Sequence, residues 1–491
     1  MNEDSVRDFI RRAGTAPDAT EAEWDAFRTR GHRDLFVHRA GAAVLATAVI
    51  VTAAIGSRAV LDDRALPPTP PAEQQHEPRP PVDWPTDLSV PERCEAAPDF
   101  APKGPRGALA YVTGSQLRVR DLTSGQDWTV VTGIPDGVEP GEVGASPDGD
   151  WVTFGEGLVV PTLGGDLCRP LGFYGINPMW STDGTMLAHA EGVLITGTPT
   201  RGADAEIHTG DPRDNFFGAV LDPARRTAAF TWTTVEEDRF TPVRESVTLL
   251  DVASGEYRRI YDTSVDEVEN FGLHMESWSP DGEWIIARRF VRGASASADP
   301  APLIAIEVTT GRAIDVTDET NGAPVTIAFG DRVAWCDDGL VVAEGVARFS
   351  DDAGRVVVAA APSWVASEIL PAPDGHAFSH PSCLDDRLVM STGPLNKLGA
   401  PDPTGVVVVG DVAPGDDGRF PVYGDEDDPL ASPEWIRPGE IVVEERHMGE
   451  TWVGSLRPEG GIRERFVGLG DIRGFEFGAT AASGRYAWIS P

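Results

Sequence analysis

The feature that most constrains this chain is a short turn-and-strand pattern that recurs along it. The copies are ASPDGDWVTF from Ala145, WSTDGTMLAHA from Trp180 and WSPDGEWIIARR from Trp278, with a degraded copy, LDPARRTAAF, from Leu221. Each copy joins a Ser-Pro-Asp-Gly turn, or a variant of it, to an apolar strand, because Pro and Gly supply the backbone angles that a tight turn requires. Internal repetition of this kind indicates a repeat architecture.

The segments between the copies have a regular pattern of their own. LRVRDLTSGQDWTVV from Leu117, VTLLDVASGEYRRIY from Val247 and IAIEVTTGRAIDVT from Ile304 each consist of an apolar strand, a Gly-containing hairpin turn and a second strand. Together with the turn-and-strand pattern they give about four strands per repeat. The sequence therefore predicts an all-β fold over this part of the chain.

This arrangement resembles the TolB-like (WD40-like) β-propeller repeat over about residues 105–491. The residues that carry the resemblance are Pro147, Asp148, Gly149, Trp180, Asp183, Gly184, Trp278, Pro280, Asp281 and Gly282. The resemblance implies a β-propeller of about seven blades, within a range of about six to eight, each with four strands. Towards the C-terminus only outlines of the motif remain, in AWCDDGLVVAEG, CLDDRLVMST and EWIRPGEIVVEE, and they leave the blade number open.

The motif residues are interpreted as structural. An Asp between Pro and Gly caps a turn by accepting backbone N–H bonds, so Asp148, Asp183 and Asp281 are expected to build the ring rather than to catalyse or to bind metal. Trp180 and Trp278 are expected where adjacent blades bury an indole. The last segment, GRYAWISP from Gly484, is predicted to complete the first blade, because a closed ring leaves no free sheet edge there.

The segment before the propeller predicts one transmembrane helix. Residues 40–57 contain no charge, and at about 1.5 Å per residue they just cross a hydrocarbon core. Arg residues are denser before this segment than after it, which places the N-terminus in the cytoplasm and the bulk of the chain outside. The alternatives are a signal peptide cleaved at the small residues Ser57 and Ala59, and a buried core helix.

Residues 58–104 are rich in proline and are predicted to form an extended extracytoplasmic linker. All four cysteines lie beyond the apolar segment, which suits an oxidising compartment and permits two disulfides. Three pairings are possible. Cys336 with Cys383 is favoured because these residues are expected on neighbouring blades, which leaves Cys94 with Cys168.

The net charge of −37, from 78 acidic and 41 basic residues, argues against binding to nucleic acid. The sequence contains no G-x-S-x-G elbow, H-E-x-x-H motif, P-loop or dinucleotide fingerprint, so it predicts a non-enzymatic propeller without a cofactor. His274, His376 and His380 are expected to be loop residues rather than ligands. The acidic segments from Gly410 and from Gly424 are expected to be solvated turns rather than calcium sites.

Residues 1–39 predict a short cytoplasmic arm of two amphipathic helices. Val6, Phe9 and Ile10 fall on one helical face, and a capping box at Thr20 precedes Trp24 and Phe27. These helices are expected to lie on the bilayer or to dock on a partner, with docking favoured, and the apolar side chains expected to bind that partner are Phe9, Trp24 and Phe27. The whole layout resembles membrane-anchored actinobacterial TolB-like propellers, which implies a protein that senses an envelope ligand and signals to a cytoplasmic regulator such as a sigma factor. The alternatives are an envelope scaffold or an exported propeller enzyme; the propeller's ligand is left open.

Overall fold

The computed structural model describes residues 77–471, with gaps in some of the connections, and residues 486–489. The predictions for the cytoplasmic arm and for residues 40–57 therefore lie outside the described residues. The described residues contain strands and turns but no helix. Among them no helix has the length and apolarity needed to cross a bilayer.

The strands of the described residues form eight mainly antiparallel sheets, which are the blades of a propeller. In the first three blades the strands are β1 Val82–Asp83, β2 Ala108–Thr113, β3 Gln116–Asp121 and β4 Asp127–Thr132; β5 Gly144–Ala145, β6 Trp151–Phe154 and β7 Leu158–Pro161; and β8 Met179–Trp180, β9 Met186–Ala190, β10 Val193–Thr198 and β11 Gly202–His208. The short β1 runs parallel to β4 at the outer edge of blade 1.

Blades 4 to 6 continue the same order, with the additional strands β20 and β21 at the junction of blades 5 and 6. Their strands are β12 Asp214–Leu221, β13 Thr227–Val235, β14 Pro242–Asp251 and β15 Tyr257–Asp262; β16 Phe271–Trp278, β17 Trp284–Val291, β18 Ala301–Glu307 and β19 Ala313–Asp315; then β20 Thr317–Asp318 and β21 Thr326–Ile327; and β22 Ala334–Cys336, β23 Gly339–Ala343, β24 Arg355–Ala359 and β25 Val365–Pro371. β20 pairs with β25, and β21 pairs with β18.

Blades 7 and 8 complete the ring, and a final strand closes it. The strands are β26 His376–Leu384, β27 Arg387–Pro394, β28 Gly405–Val409 and β29 Val422–Tyr423; β30 Leu430–Arg437, β31 Glu440–His447, β32 Glu450–Arg457 and β33 Ile462–Asp471; and β34 Tyr486–Ile489. β34 pairs antiparallel with β2 of blade 1, so the C-terminal strand becomes the innermost strand of the first blade. The predicted closure is confirmed.

The prediction of an all-β propeller is confirmed as well. The eight blades lie within the predicted range of six to eight and exceed the predicted central value of seven by one. The sequence did not give the exact number, because the motif is too degraded in the last blades to be counted. The apolar core lies between the faces of adjacent blades: Trp284 and Ile286 of blade 5, for example, pack with Leu340 and Val342 of blade 6. The first strand of a blade lies innermost except in blade 1, where β34 is innermost, and in blade 6, where β22 is innermost and β20 is at the outer edge. Accordingly β26 contacts β22 on one side and β30 on the other.

The recurring turn connects the innermost strand of a blade to the next strand. In blade 5 the Ser279 hydroxyl donates to Asp281 Oδ1 at 2.5 Å, and the same carboxylate accepts the Glu283 N–H at 2.9 Å. Gly282 has a φ of 73°, a left-handed conformation that favours glycine. Asp148 and Asp183 accept the equivalent bonds from Ser146 and Ser181. These aspartates cap turns.

Part of the segment that the sequence assigned to the linker packs on the propeller. Val82, Trp84 and Val90 contact the core between blades 1 and 2, and Phe100 is a buried member of that core. Cys94 is disulfide-bonded to Cys168 beside β7. Proline-rich composition did not indicate this, because the few apolar residues that provide the contacts are scattered between prolines.

Candidate functional site

Three innermost strands contain the same unusual bulge. In β12, β26 and β30 two consecutive residues lie opposite a single residue of the neighbouring strand, and the first of the two has a left-handed backbone. The first residues are Gly218 with a φ of 61°, His380 with 51° and Ser432 with 48°. This is the bulge type in which the first position is ordinarily glycine.

His380 and Ser432 therefore occupy positions where the backbone favours glycine. A left-handed conformation costs a residue with a Cβ roughly 1–2 kcal/mol. Blade 4 avoids this cost with Gly218, whereas blades 7 and 8 carry side chains, both of them buried. Strain that persists in a folded protein points to a role for the strained residue. These two side chains mark the region of the innermost strands where we place the candidate site.

A buried carboxylate from blade 6 holds the bulge of blade 7. Asp331 Oδ1 accepts the backbone N–H of His380 at 2.7 Å and that of Arg332 at 2.8 Å. Burial raises the pKa of the Asp331 carboxyl, while the positive charge of the nearby His380 acts in the opposite direction. The carboxyl group thus joins the segment before β22 to the innermost strand β26 and lies close to the His380 imidazole.

A set of serine hydroxyls follows at the interface between blades 7 and 8. The backbone N–H of Ser432 donates to Ser391 Oγ at 3.0 Å, and Ser391 lies directly opposite Ser379 in the sheet of blade 7. All three serines are buried. Within the part of the chain that the structure describes, Ser379 Oγ and Ser432 Oγ have no hydrogen-bond partner. A buried hydroxyl without a partner costs about 1–3 kcal/mol, so two adjacent ones call for an explanation.

Arg332 contacts the bulge of blade 8. Its Nη2 donates to the carbonyl oxygen of Pro433, the second bulge residue of blade 8, at 3.3 Å. Among the described residues Arg332 forms no ion pair, and its side chain is exposed. We call the residues of this region the channel cluster; they are Asp331, Arg332, Ser379, His380, Ser391 and Ser432.

The adjoining polar group in blade 5 is different, because its charges neutralise one another. Glu276 Oε1 lies 2.9 Å from Arg288 Nε and 3.2 Å from His274 Nδ1. Arg288 also donates to the carbonyl oxygen of Ala328 at 3.3 Å. This group binds its own members, whereas the channel cluster has hydroxyl and guanidinium donors that the described residues do not satisfy.

The structure separates the sequence-predicted residues from the channel cluster. The motif residues Pro147 to Gly149, Trp180, Asp183, Gly184, Trp278 and Pro280 to Gly282 lie at or beside the turns where the innermost strands end. The Trp278 indole is buried and donates to the Val220 carbonyl of the preceding blade at 3.1 Å. The partner-binding residues Phe9, Trp24 and Phe27 lie outside the described residues.

The disulfides have the pairing that the sequence favoured. Cys336 is bonded to Cys383, which joins β22 to β26, and Cys94 is bonded to Cys168. The first of these bonds ties together the innermost strands that flank the Asp331–His380 contact.

The prediction that the histidines are loop residues is wrong. His274 lies in β16, and His376 and His380 lie in β26, all in innermost strands. A signal was present in the sequence, because proline within a strand is confined to edges and bulges. His380-Pro381 and Ser432-Pro433 both follow apolar segments and mark the bulges. The innermost strand tolerates proline because one of its edges faces the channel.

The acidic segment from Gly424 forms a turn of its own. Asp425 Oδ1 accepts the backbone N–H groups of Asp427 and Asp428, each at 2.9 Å. No group of three or more metal-binding side chains occurs among the residues that the structure describes. The segment from Gly410 lies outside the described residues.

No known family matches the chain, and no curated protein matches it. Among solved structures, the dihydro-heme d1 dehydrogenase NirN in complex with DHE is similar over 77% of this chain and 76% of its own, with a TM-score of 0.52 and 13% identity. An oligogalacturonate lyase in complex with manganese matches over 69% and 81%, with a TM-score of 0.40 and 14% identity. Sqt1 of Saccharomyces cerevisiae matches over 69% and 87%, with a TM-score of 0.42 and 10% identity. Such identities show the fold alone.

These similarities correct one prediction. The sequence analysis concluded that the chain is not an enzyme, and that conclusion is overturned because a dehydrogenase has the same fold over three quarters of the chain. The prediction was wrong because it rested on the absence of linear motifs, whereas a propeller brings side chains together from separate blades. The β-propeller fold is confirmed.

Proposed function

We propose that this chain is a membrane-anchored envelope receptor whose propeller binds a ligand at the channel cluster. The observation that carries the proposal is the replacement of glycine by His380 and Ser432 in two left-handed bulges beside unpartnered serine hydroxyls. Glycine would remove the strain at these positions, as Gly218 does in blade 4. Strain that is retained where glycine would remove it is typical of binding and catalytic sites.

The anchoring and signalling parts of the proposal rest on the sequence. Residues 40–57 supply the transmembrane helix, and the Arg-rich flank before them places residues 1–39 in the cytoplasm. The paired cysteines suit an oxidising compartment outside the membrane. The arm, through Phe9, Trp24 and Phe27, then docks on a cytoplasmic regulator such as a sigma factor. We further propose that the propeller is of the TolB-like type found in membrane-anchored actinobacterial proteins.

The test compares variants of the full chain in the organism that carries the gene. Transcript profiles are measured for the gene deletion, for the double substitution Trp24→Ala with Phe27→Ala, and for His380→Asn. Asparagine tolerates the left-handed backbone, so His380→Asn removes the imidazole without adding strain. We expect both variants to change the same transcripts as the deletion.

The matched control is Arg225→Gly. Arg225 also has a left-handed backbone, with a φ of 52°, but it lies in an exposed turn of blade 4. This variant should give the wild-type profile. Wild-type transcripts in the arm variant would refute signalling through the arm, and wild-type transcripts in His380→Asn would refute ligand sensing at the channel cluster.

Catalysis at the same place is the second candidate function. The observation in its favour is the buried Asp331 carboxyl, whose pKa is raised by burial, close to the imidazole of His380. Such a pair can transfer a proton to or from a bound substrate. Turnover of an envelope glycan or peptide by the wild-type chain, lost in Asp331→Asn, would favour this function over binding alone.

A further inference from the structure

The chemistry of the channel cluster indicates which part of a ligand it binds. Ser379 Oγ and Ser432 Oγ are buried hydroxyl groups that lack a partner among the described residues, and each can donate one hydrogen bond. Both belong to the interface between blades 7 and 8. The Ser391 hydroxyl, which accepts the Ser432 N–H, can donate its own proton in the same region.

A positive charge lies beside these hydroxyls. The Arg332 guanidinium contacts the carbonyl of Pro433, the residue after Ser432, and that single bond leaves other N–H groups to donate. In blade 5, by contrast, Arg288 is paired with Glu276 at 2.9 Å. The Arg332 guanidinium donates to a neutral carbonyl and forms no ion pair among the described residues, although its charge also acts on the Asp331 carboxyl. A planar guanidinium binds carboxylate and phosphate oxygens well.

Two acceptor atoms of the channel cluster, Asp331 Oδ1 and Ser391 Oγ, already accept backbone N–H groups. Asp331 Oδ1 accepts two backbone N–H groups, from Arg332 and His380. Ser391 Oγ accepts a third, from Ser432. The groups that remain for a ligand include two hydroxyls and a guanidinium, all of which can donate. A group with several acceptor oxygens and a negative charge complements such a set.

We propose that the channel cluster is an oxyanion subsite, which binds a carboxylate or phosphate group carried by the propeller's ligand. This inference rests on the proposed function, because it names the chemistry of the ligand that the receptor binds. It also accounts for the left-handed serine. Ser432 brings a hydroxyl to a place where glycine would be less strained, and an oxyanion would satisfy that hydroxyl. The net charge of −37 excludes long-range attraction of anions, so recognition depends on these short contacts.

The test measures binding of small probes to the full chain, purified in detergent, by isothermal titration calorimetry. The probes are inorganic phosphate, glucuronate as a sugar carboxylate, and glucose as an uncharged control. We expect millimolar binding of phosphate or glucuronate and none of glucose; which of the two anions binds identifies the source of the oxyanion. Binding of glucose at the same strength, or of neither anion, would overturn the inference.

Two variants assign the binding to the serines. Ser432→Gly removes a hydroxyl and also relieves the left-handed strain, so the protein remains folded and should lose at least about tenfold in affinity. Ser379→Ala removes the neighbouring hydroxyl and should lose a similar factor. Arg225→Gly relieves the same type of strain elsewhere and should bind as wild type does. Unchanged affinity in both serine variants would show that the anion binds elsewhere.

The outcome is separable from that of the proposed function. If neither anion binds while His380→Asn still reproduces the transcripts of the gene deletion, the oxyanion inference is wrong and the receptor proposal stands. If an anion binds through Ser432 but His380→Asn leaves transcription unchanged, the subsite exists without the proposed signalling.

Discussion

The innermost strands of blades 1 to 3 differ from those of blades 4, 7 and 8. In the first group they are short, with four residues in β34 and two each in β5 and β8. In the second group they have eight or nine residues and contain the left-handed bulges. The motif turn is well preserved in blades 2 and 3 and degraded in blades 4, 7 and 8. In blades 2 and 3 a well-preserved motif therefore accompanies a short, regular innermost strand. In blades 4, 7 and 8 a degraded motif accompanies the left-handed bulges, and the bulges of blades 7 and 8 belong to the candidate site.

Blade 5 supports this reading. It has the best copy of the motif, WSPDGEW from Trp278, together with a long innermost strand. Its bulge at Glu276 has no left-handed residue. Strand length alone thus does not produce the left-handed bulge. Among the described blades, each left-handed bulge occurs in a blade whose motif turn is degraded.

The largest expected effect is on the closure of blade 1. Deleting residues 484–491 removes β34, whose four residues pair with β2 and whose Ile489 is buried in the core. We expect a loss of about 5 kcal/mol or more in the free energy of unfolding, because a paired strand and its core contacts disappear together. Ile489→Ala alone should cost about 2–5 kcal/mol. Denaturant unfolding measures both.

The matched control for the closing strand is Ile462→Ala. Ile462 is 54% exposed at the edge of blade 8, so its truncation should change stability by less than about 0.5 kcal/mol. An unfolding midpoint of the deleted chain equal to that of the wild type would show that the ring does not depend on β34.

The two disulfides allow blades 6 and 7 to be compared with blade 2. Their sequence separations are 74 residues for Cys94–Cys168 and 47 for Cys336–Cys383, so replacing either pair by serine should cost about 4 kcal/mol. Their effects on binding should differ. Cys336–Cys383 joins the innermost strands of blades 6 and 7, next to the channel cluster, and its loss should weaken phosphate or glucuronate binding.

The pair Cys94 and Cys168 is the control, because it lies in blade 2 and in the segment packed against it. Its replacement by serine should leave anion affinity within a factor of two or so. Equal losses of affinity in both double variants would show that the two parts of the ring respond as one unit, and that the site is not local to blades 6 to 8.

Substitutions at two bulges should change stability in opposite directions. Gly218→Ser introduces a side chain where a Cβ would lie 3.0 Å from the Met275 nitrogen, and it should cost about 1–3 kcal/mol. Ser432→Gly should raise the free energy of unfolding by about 1 kcal/mol, because relief of strain and removal of an unpartnered hydroxyl exceed the entropy that glycine adds. Thermal unfolding compares the two. A destabilised Ser432→Gly would mean that Ser432 stabilises the ring.

The sequence predicted the elements whose cause is local. A Ser-Pro-Asp-Gly turn caps itself with its own Asp and Gly, so Asp281 and Gly282 could be assigned from four letters. The closing strand followed from the need to pair an edge. The contacts of the channel cluster join residues 49, 41 and 101 positions apart, and no local pattern encodes such distances. Only the dipeptides His380-Pro381 and Ser432-Pro433 indicated the bulges in advance.

The smallest expected effect concerns the pH dependence of stability at Asp331. Burial raises the pKa of this carboxyl in the folded chain, against the opposing influence of His380 and Arg332. The native state therefore keeps its proton to a higher pH than the unfolded chain, whose aspartates ionise near about 3.9. The contribution of this group to stability is complete below that value and is lost as the pH rises through the raised pKa.

Asp331→Asn separates this contribution from the rest of the ring. The amide oxygen can still accept the N–H groups of His380 and Arg332, and it does not ionise. Relative to the wild type, the variant should gain stability as the pH rises from about 4 towards neutral. Urea denaturation over a pH series measures the difference, with Arg225→Gly, which changes no carboxyl group, as the control. A constant difference for Asp331→Asn would mean that the carboxyl has the same pKa in the folded and the unfolded chain, so that burial would not favour its protonated form.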